Sequence, residues 1–546
     1  MSLKERFSNW SRFQTIVSVL TKHGFSGILS ELGLTPARGT KQEIEDARIP
    51  AQLRMACEEL GPTFVKLGQL LSTRPDLLPE NYVTEFSKLT DSVSPFSFAE
   101  VEAILESEFG EAHSVLFSEI ESTPVAAASI AQVHRAVVRE TGEKIVLKIQ
   151  RPGINKAVQT DIQILYRLAS ALERLREEFK LLNTTAIVQE FQRSINEELD
   201  FTLEARNLDL FAKNMSAQEG VIFPKPLWAF TTKKVLAMTC MEGSTLSQVK
   251  DIPSNVDRKY LTESLVSFFF ESIFFHGLFH ADAHPGNILL QTEGRGRLVL
   301  LDFGMVGTLN ADLRNKLSKI FLSLVSQDFD ALAQTYVEIG EFGRNFSVRD
   351  FQRDVADFLR PQLGKPLREI PLGQLMLDST RIARKYQVRV PRDLILFYRS
   401  MITLESIGRR LDPDFEFLSY GQSFARDLMR RRFSAEEIFR DLLKTFEGLR
   451  SLGTELPSQV RSIVHRLESD DLNFGSKQRE FIVKELRRMN QGNVLASVFL
   501  VSTIGSVLLA SFAPGHPLST PLWLLSGGSV AFLVYFLAKG FLSKEH

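Results

Sequence analysis

Four residues in one stretch could do chemistry together. His280, Asp282 and Asn287 stand within Leu278–Leu290, Asp282 five residues before Asn287, and Asp302 closes the apolar run Leu298–Leu301. Phosphoryl transfer is mostly positioning and neutralisation of phosphate charge. It needs an Asp to orient an acceptor hydroxyl or water, and hard oxygen ligands to hold Mg²⁺ on the phosphates. Asp282, at the His-x-Asp position, suits the first task. Asn287, just past the Pro285-Gly286 turn, and Asp302, at a strand end, suit the second. Each residue is ordinary alone; the joint spacing is what points to a nucleotide, its metal and an acceptor.

The elements that must position these groups follow from periodicity. A lone Lys148 in the apolar strand Lys144–Gln150 is either a sheet-edge lysine or the partner of something anionic, such as the α/β phosphates. Before it, residues 124–150 read as strand, small-residue loop, strand, turn and strand. The loop Ala126-Ala127-Ala128-Ser129 occupies the place of a glycine-rich phosphate cover; alanine lets the backbone come close but resists positive φ. Residues 98–118 read as one amphipathic helix. Residues 160–215 are helical, with acids Glu197, Glu198, Asp200 and Glu204, for which a solvated face is the plain reading. Val235–Gly243 is a buried strand running into a turn between two lobes, and 258–277 a Phe-rich helix.

Upstream, Leu60, Phe64, Leu67 and Leu71 form a helical stripe, with Pro62 in the first turn. Thr63, Lys66 and Gln69 share another face, whose plain reading is again exposure to solvent. Downstream, no Lys, Arg, Asp or Glu occurs between Arg488 and Lys539. Val494–Ala513 is long enough to cross a hydrocarbon core, Pro514–Pro517 turns, and Leu522–Ala538 gives a second span. Basic flanks at Lys477–Arg488, Lys539 and Lys544 put both ends on the cytoplasmic side, or on the matrix or stromal side in an organelle. Ser502, Ser506 and Ala510 make a small-residue stripe suited to packing within the hairpin or against a second protomer, a homodimer.

Composition narrows the field. A chain of 546 residues exceeds one core. With 24% charged residues and a net charge of -1, it carries no global nucleic-acid footprint, and no nucleic-acid partner is expected. Two distant cysteines, Cys57 and Cys240, suggest no disulfide framework and read as buried small hydrophobes in a reducing compartment. The N-terminus does not read as a signal peptide but as an amphipathic helix.

Taken together, the motifs resemble the UbiB family of atypical kinase-like proteins, also called aarF-domain or ADCK proteins. Lys66-Leu-Gly-Gln69 is similar to its KxGQ signature, Ala126–Ser129 to its alanine-rich loop, and Glu198-Leu-Asp200 to its ExD motif. His280–Asn287 resembles its catalytic loop, Asp302-Phe-Gly304 its metal motif, and Leu404–Asp414 also looks familial. The resemblance implies an α+β, protein-kinase-like bilobal fold with an N-terminal helical extension and a C-terminal two-helix transmembrane hairpin. The expected boundaries are 1–120 for the extension, 121–242 for the N-lobe with a helical insertion, 243–480 for the C-lobe, and 490–541 for the membrane helices.

It further implies ATP or ADP with Mg²⁺ as cofactors, bound by Lys148, Ala126–Ser129 and Met241, with Glu204 pairing Lys148. Lys66 and Gln69 would fold over the cleft onto Glu198 and Asp200. The expected role is ATPase-type or small-molecule kinase activity at a bacterial inner membrane, with the kinase-like domain cytoplasmic. It would support ubiquinone (coenzyme Q) or related isoprenoid-lipid synthesis, with quinone intermediates, membrane lipid and quinone-biosynthesis enzymes as partners. Protein phosphorylation is not expected. Ala283 stands where the family has Pro, and Thr239 where an acid is common. Two other readings share the opening motif. One is a phosphotransferase of the aminoglycoside or choline kinase type, disfavoured by Lys66–Gln69 and the hairpin. The other is a nucleotide-gated scaffold for lipid-modifying enzymes.

Overall fold

The computed structural model describes residues 3–432 apart from 35–47, 75–76, 91–92, 176, 217, 250, 282, 327, 341–346, 363–374, 376, 380–381, 383–384 and 387–390. Asp282 and the expected hairpin therefore lie outside the described residues. Among those described, no helix is long and apolar enough to cross a membrane. The chain divides into two units, Met1–Ala425 and Arg426–His546, and the elements below belong to the first.

Five helices open it: α1 (Leu3–Lys22), α2 (Ser26–Glu31), α3 (Ile49–Leu60), α4 (Pro62–Ser72) and α5 (Glu80–Phe86). Gly61, at φ +94°, makes the break between α3 and α4 in a region closed to most side chains. The apolar stripe on α4 divides between two clusters. Leu60, Phe64 and Leu67 pack with Ile16, Val19, Ala56 and Ile164, while Leu71 joins Val65, Phe86 and Leu89. The face carrying Thr63 and Lys66 is not solvated: Thr63 is buried and the Lys66 side chain is 16% exposed. Burial on several sides leaves α4 little solvent face.

The expected helix 98–118 is two pieces, α6 (Phe98–Phe109) and α7 (His113–Leu116), followed at once by strand β1 (Phe117–Ile120). A capping box between Ser97 and Glu100 starts α6, and Gly110 ends it in the left-handed region at φ +73°. Next come β2 (Ala126–Ala127), β3 (Ala131–Val138) and β4 (Lys144–Gln150). Four helices follow: α8 (Ile154–Leu175), α9 (Glu177–Leu182), α10 (Thr184–Glu198) and α11 (Phe201–Asn214). Strands β5 (Val221–Ile222) and β6 (Val235–Thr239) come after them.

The first sheet runs β1-β3-β4-β6 with β2 paired to β3, all antiparallel. Ile145, Leu147 and Ile149 of β4 are fully buried against Val101 and Leu105 of α6. Each such side chain contributes roughly 1.5–3 kcal/mol of transfer free energy. Strand alternation then turns Lys148 to the opposite face. The core on one side is thus what aims Lys148 at the site on the other.

The chain continues through β7 (Ser244–Thr245) and α12 (Arg258–Phe270), which winds on as a π-helix over Glu271–His276. The expected Phe-rich helix is therefore looser in its last turn, immediately before the catalytic stretch. Strands β8 (Leu278–His280), β9 (Ile288–Gln291), β10 (Arg297–Leu300) and β11 (Val306–Thr308) follow. They form the sheet β5-β10-β9-β7 and the pair β8-β11. Further helices include α13 (Ala311–Val325), α14 (Phe329–Ile339), α15 (Val348–Leu359) and α16 (Arg392–Leu411).

Candidate active site

Lys148 is the hub. Its Nζ lies 2.8 Å from both carboxylate oxygens of Glu204 on α11 and 3.4 Å from Oδ2 of Asp302. It also sits 5.5 Å from the centroid of the Phe201 ring. Asp302 follows β10, and its Oδ1 accepts the Gly304 N–H at 2.8 Å, so the loop folds back on its own carboxylate. Asn287 is brought to the same edge by the β9–β10 ladder, in which Leu300 pairs with Ile288. The Leu301 N–H donates to the Asn287 carbonyl at 3.0 Å, one residue before Asp302. His280 is buried, its ring 4.8 Å from that of Phe303, and β8 pairs with β11 so that His280 faces Val306.

The three charged groups divide their roles electrostatically. Burial alone would lower the Lys148 ammonium, but Asp302 and Glu204 more than offset it and hold it above the ordinary lysine value. Burial opposes ionisation of Asp302, yet Lys148, the Gly304 N–H, His280 and Lys66 bring it down to about 2. Burial pushes Glu204 up; Lys148 pulls it back, Asp302 adds to the rise, and the net is about 7. Asp302 is the open member, with 41% of its side chain accessible against 5% for Glu204, so water screens its share of the field. Asp302 is thus an anion at neutral pH beside an amide-bearing Asn287, a hard-oxygen donor set that fits Mg²⁺. Among the described residues no cluster of three His, Cys, Asp or Glu offers a softer alternative site.

The alanine-rich segment is tighter than a free loop. Ala126 and Ala127 pair with Val133 and Gln132 as β2, and the Ala128 N–H donates to the Ala131 carbonyl at 2.8 Å. Ser129 in that turn is fully buried, and its Oγ has no hydrogen-bond partner among the described residues. An orphaned hydroxyl in the segment facing the expected phosphates is consistent with a missing polar ligand. Met241 lies past β6, half-buried, its Sδ 3.7 Å from the Thr239 hydroxyl.

Lys66 meets Glu198 at 2.5 Å, which brings α4 onto the end of α10. Lys66 lowers Asp302 and Glu198 raises Lys148, so this pair stands within electrostatic reach of the hub. The expected contacts of the other two residues differ. The Gln69 amide donates to the Leu89 carbonyl at 3.3 Å, because the same helix face turns toward α5. Asp200 caps α11, accepting the Thr202 N–H at 3.1 Å and hydroxyl at 2.6 Å, with Lys233 at 3.6 Å. A helix start takes this carboxylate before a distant amide can. Two more ion pairs bind the N-terminal helices to the insertion: Arg12 with buried Asp161 at 2.7 Å, and Arg74 with Glu190.

Several positioning contacts were not singled out in the sequence. Gln150 Nε2 donates to the Leu199 carbonyl at 2.9 Å and ties the Glu198–Asp200 turn to β4. The buried Ser400 hydroxyl of α16 donates to the His280 carbonyl at 2.7 Å. Asn207 Nδ2 donates to the Phe303 carbonyl at 3.0 Å. Only Asn207 had a cue, since it lies three residues after Glu204 on one helix.

Comparison with known proteins shows which family the chain belongs to. Residues 88–336 match the model of the ABC1 atypical kinase-like domain, and 355–416 that of the UbiB helical domain. A protein from Marinobacter nauticus named "Probable protein kinase UbiB" is 33% identical over 421 residues, covering 77% of each chain. One of the same name from Pseudomonas putida (strain W619) is 31% identical over 494 residues, 89% of each. A solved structure titled as the complex of Rv3197 with erythromycin, from Mycobacterium tuberculosis, has 25% identity and a TM-score of 0.45. It covers 65% of this chain and 90% of that one. This chain belongs to the UbiB family of ABC1 atypical kinase-like proteins.

Proposed function

We propose that this protein is a membrane-anchored, ATPase-type atypical kinase that binds ATP or ADP with Mg²⁺ and supports ubiquinone or related isoprenoid-lipid synthesis. The observation that carries the nucleotide chemistry is the convergence of Lys148, Glu204 and Asp302, with Asn287 at the same edge. Lys148 would hold the α/β phosphates, Asn287 and Asp302 would hold the metal, and the turn at Ala128–Ala131 would lie over the phosphates. When bound, nucleotide and Mg²⁺ supply the transferable phosphoryl group and neutralise its charge. Asp282 is assigned to orient the acceptor on the strength of its place in the motif. The Lys66–Glu198 contact, beside the hub, supports a covered cleft and hence a small or lipid acceptor, or water, over a protein one.

The membrane part of the proposal rests on the uncharged runs Val494–Ala513 and Leu522–Ala538. The quinone part rests on the family. A strain lacking the protein tests both the lipid role and the need for turnover. Wild type should restore the quinone profile, and Asp302→Asn should leave intermediates accumulating. Full rescue by Asp302→Asn would favour a nucleotide-bound scaffold instead.

A further inference from the structure

One face of α11 meets the backbone on both sides of a single residue of the metal loop, Phe303. Glu204, Asn207 and Phe211 follow one another at helical spacing. Asn207 Nδ2 donates to the Phe303 carbonyl at 3.0 Å, the Phe211 ring lies 4.9 Å from the Phe303 ring, and the Phe303 N–H favours the ionised Glu204 carboxylate. Phe303 is fully buried, so a carbonyl there without a donor would carry an unmet desolvation cost. The residues on either side of it are Asp302 and Gly304, and Gly304 closes the loop on Asp302 Oδ1. A Cβ at Gly304 would stand 3.1 Å from that oxygen, so a larger residue there would press on the Asp302 carboxylate.

We propose that Asn207 is a positioning residue for the metal loop: its amide fixes the Phe303 carbonyl and thereby the orientation of the Asp302 carboxylate toward Mg²⁺. Glu204 holds Lys148 from the preceding turn of the same helix, so the phosphate-binding lysine and the metal-binding loop are set by one rigid element. Displacement of α11 would release both together. The assignment rests on the nucleotide–Mg²⁺ reading of the site and adds a residue that touches neither nucleotide nor metal.

The test separates metal from nucleotide. Full-length protein in detergent is titrated with Mn²⁺ in the presence of ADP, bound Mn²⁺ being read by electron paramagnetic resonance. ADP affinity is measured in parallel with EDTA present. Asn207→Ala removes the donor, and Asn207→Leu removes it while keeping the volume, which covers the case in which the smaller side chain does not fold. Both should weaken Mn²⁺ uptake about tenfold and change metal-free ADP affinity by less than about twofold. Wild-type Mn²⁺ affinity in either variant overturns the inference alone. So does an equal loss of both affinities with a lowered melting temperature, which marks general packing. If wild type takes up no Mn²⁺ with ADP, the nucleotide–metal reading falls, and the inference with it.

Discussion

At the scale of residues, three ionisable groups in one place are pushed in different directions. Asp302 is held as an anion, Lys148 as a cation, and Glu204 sits near about 7 because burial outweighs its partner. The sign of the stability effect follows. A carboxyl whose pKa is higher in the folded chain than in the unfolded one favours folding below its ordinary value near 4.5, and that contribution fades as pH rises through about 7. The raised Lys148 still favours folding at neutral pH, so what fades as pH passes through about 7 is the Glu204 contribution alone. Between pH 5 and 8 wild type should lose on the order of 2 kcal/mol through Glu204. The Glu204→Gln variant cannot show this loss. Melting temperatures across that range should fall more steeply in wild type, and parallel curves would contradict the assignment. Asn287 and Asp302 were singled out from residue type and spacing, whereas Lys148 was left open between a sheet edge and an anionic partner until the structure set it against Glu204 and Asp302. The Gln69 amide meets the Leu89 carbonyl; spacing shows which face a residue shares but not which neighbour that face meets.

At the scale of elements, α4 shows why its glycine is needed. A Cβ on Gly68 would meet Leu89 Cδ1 at 2.3 Å, and Leu89 is itself buried. This is the close approach that lets α4 pack on the 86–89 turn while Lys66 reaches Glu198. Gly68→Ala should cost about 1–3 kcal/mol by overpacking. Adding Leu89→Ala should relieve part of the clash, so the double variant should melt above the sum of the single losses. Strict additivity would show that the two do not compete for space. The strands were readable because alternation in β4 is strong, whereas the break at Gly110 and the π-turn at Glu271–His276 were not. Both depend on what the helix must leave room for, the start of β1 and the approach to His280, and periodicity does not carry that information. Ala126–Ala127 read as loop because two alanines have little strand propensity; pairing with β3 overrides it.

At the scale of the whole molecule, the kinase-like domain and the UbiB helical domain account for residues 88–336 and 355–416, and α1 to α5 are tied to them through Arg12–Asp161 and Lys66–Glu198. The family was legible because five separate motifs lie in one order along the chain. The hairpin at 490–541 rests on sequence alone, and a cell-fractionation experiment addresses it. Full-length protein should stay with membranes through carbonate extraction, while a chain ending at Arg432 should be released. Retention of the shortened chain would place the anchor elsewhere, with the N-terminal helix α1 the next segment to test. The central claim is that Asp302, held as an anion beside Lys148, carries the metal for nucleotide turnover. Release of ADP from ATP by the full-length protein in detergent or membranes, titrated with Mg²⁺, tests it most directly. Wild type should show Mg²⁺-dependent release, and Asp302→Asn should reduce it at least about a hundredfold, as expected for loss of a charge-neutralising metal ligand. Release by Asp302→Asn at the wild-type rate would contradict the account.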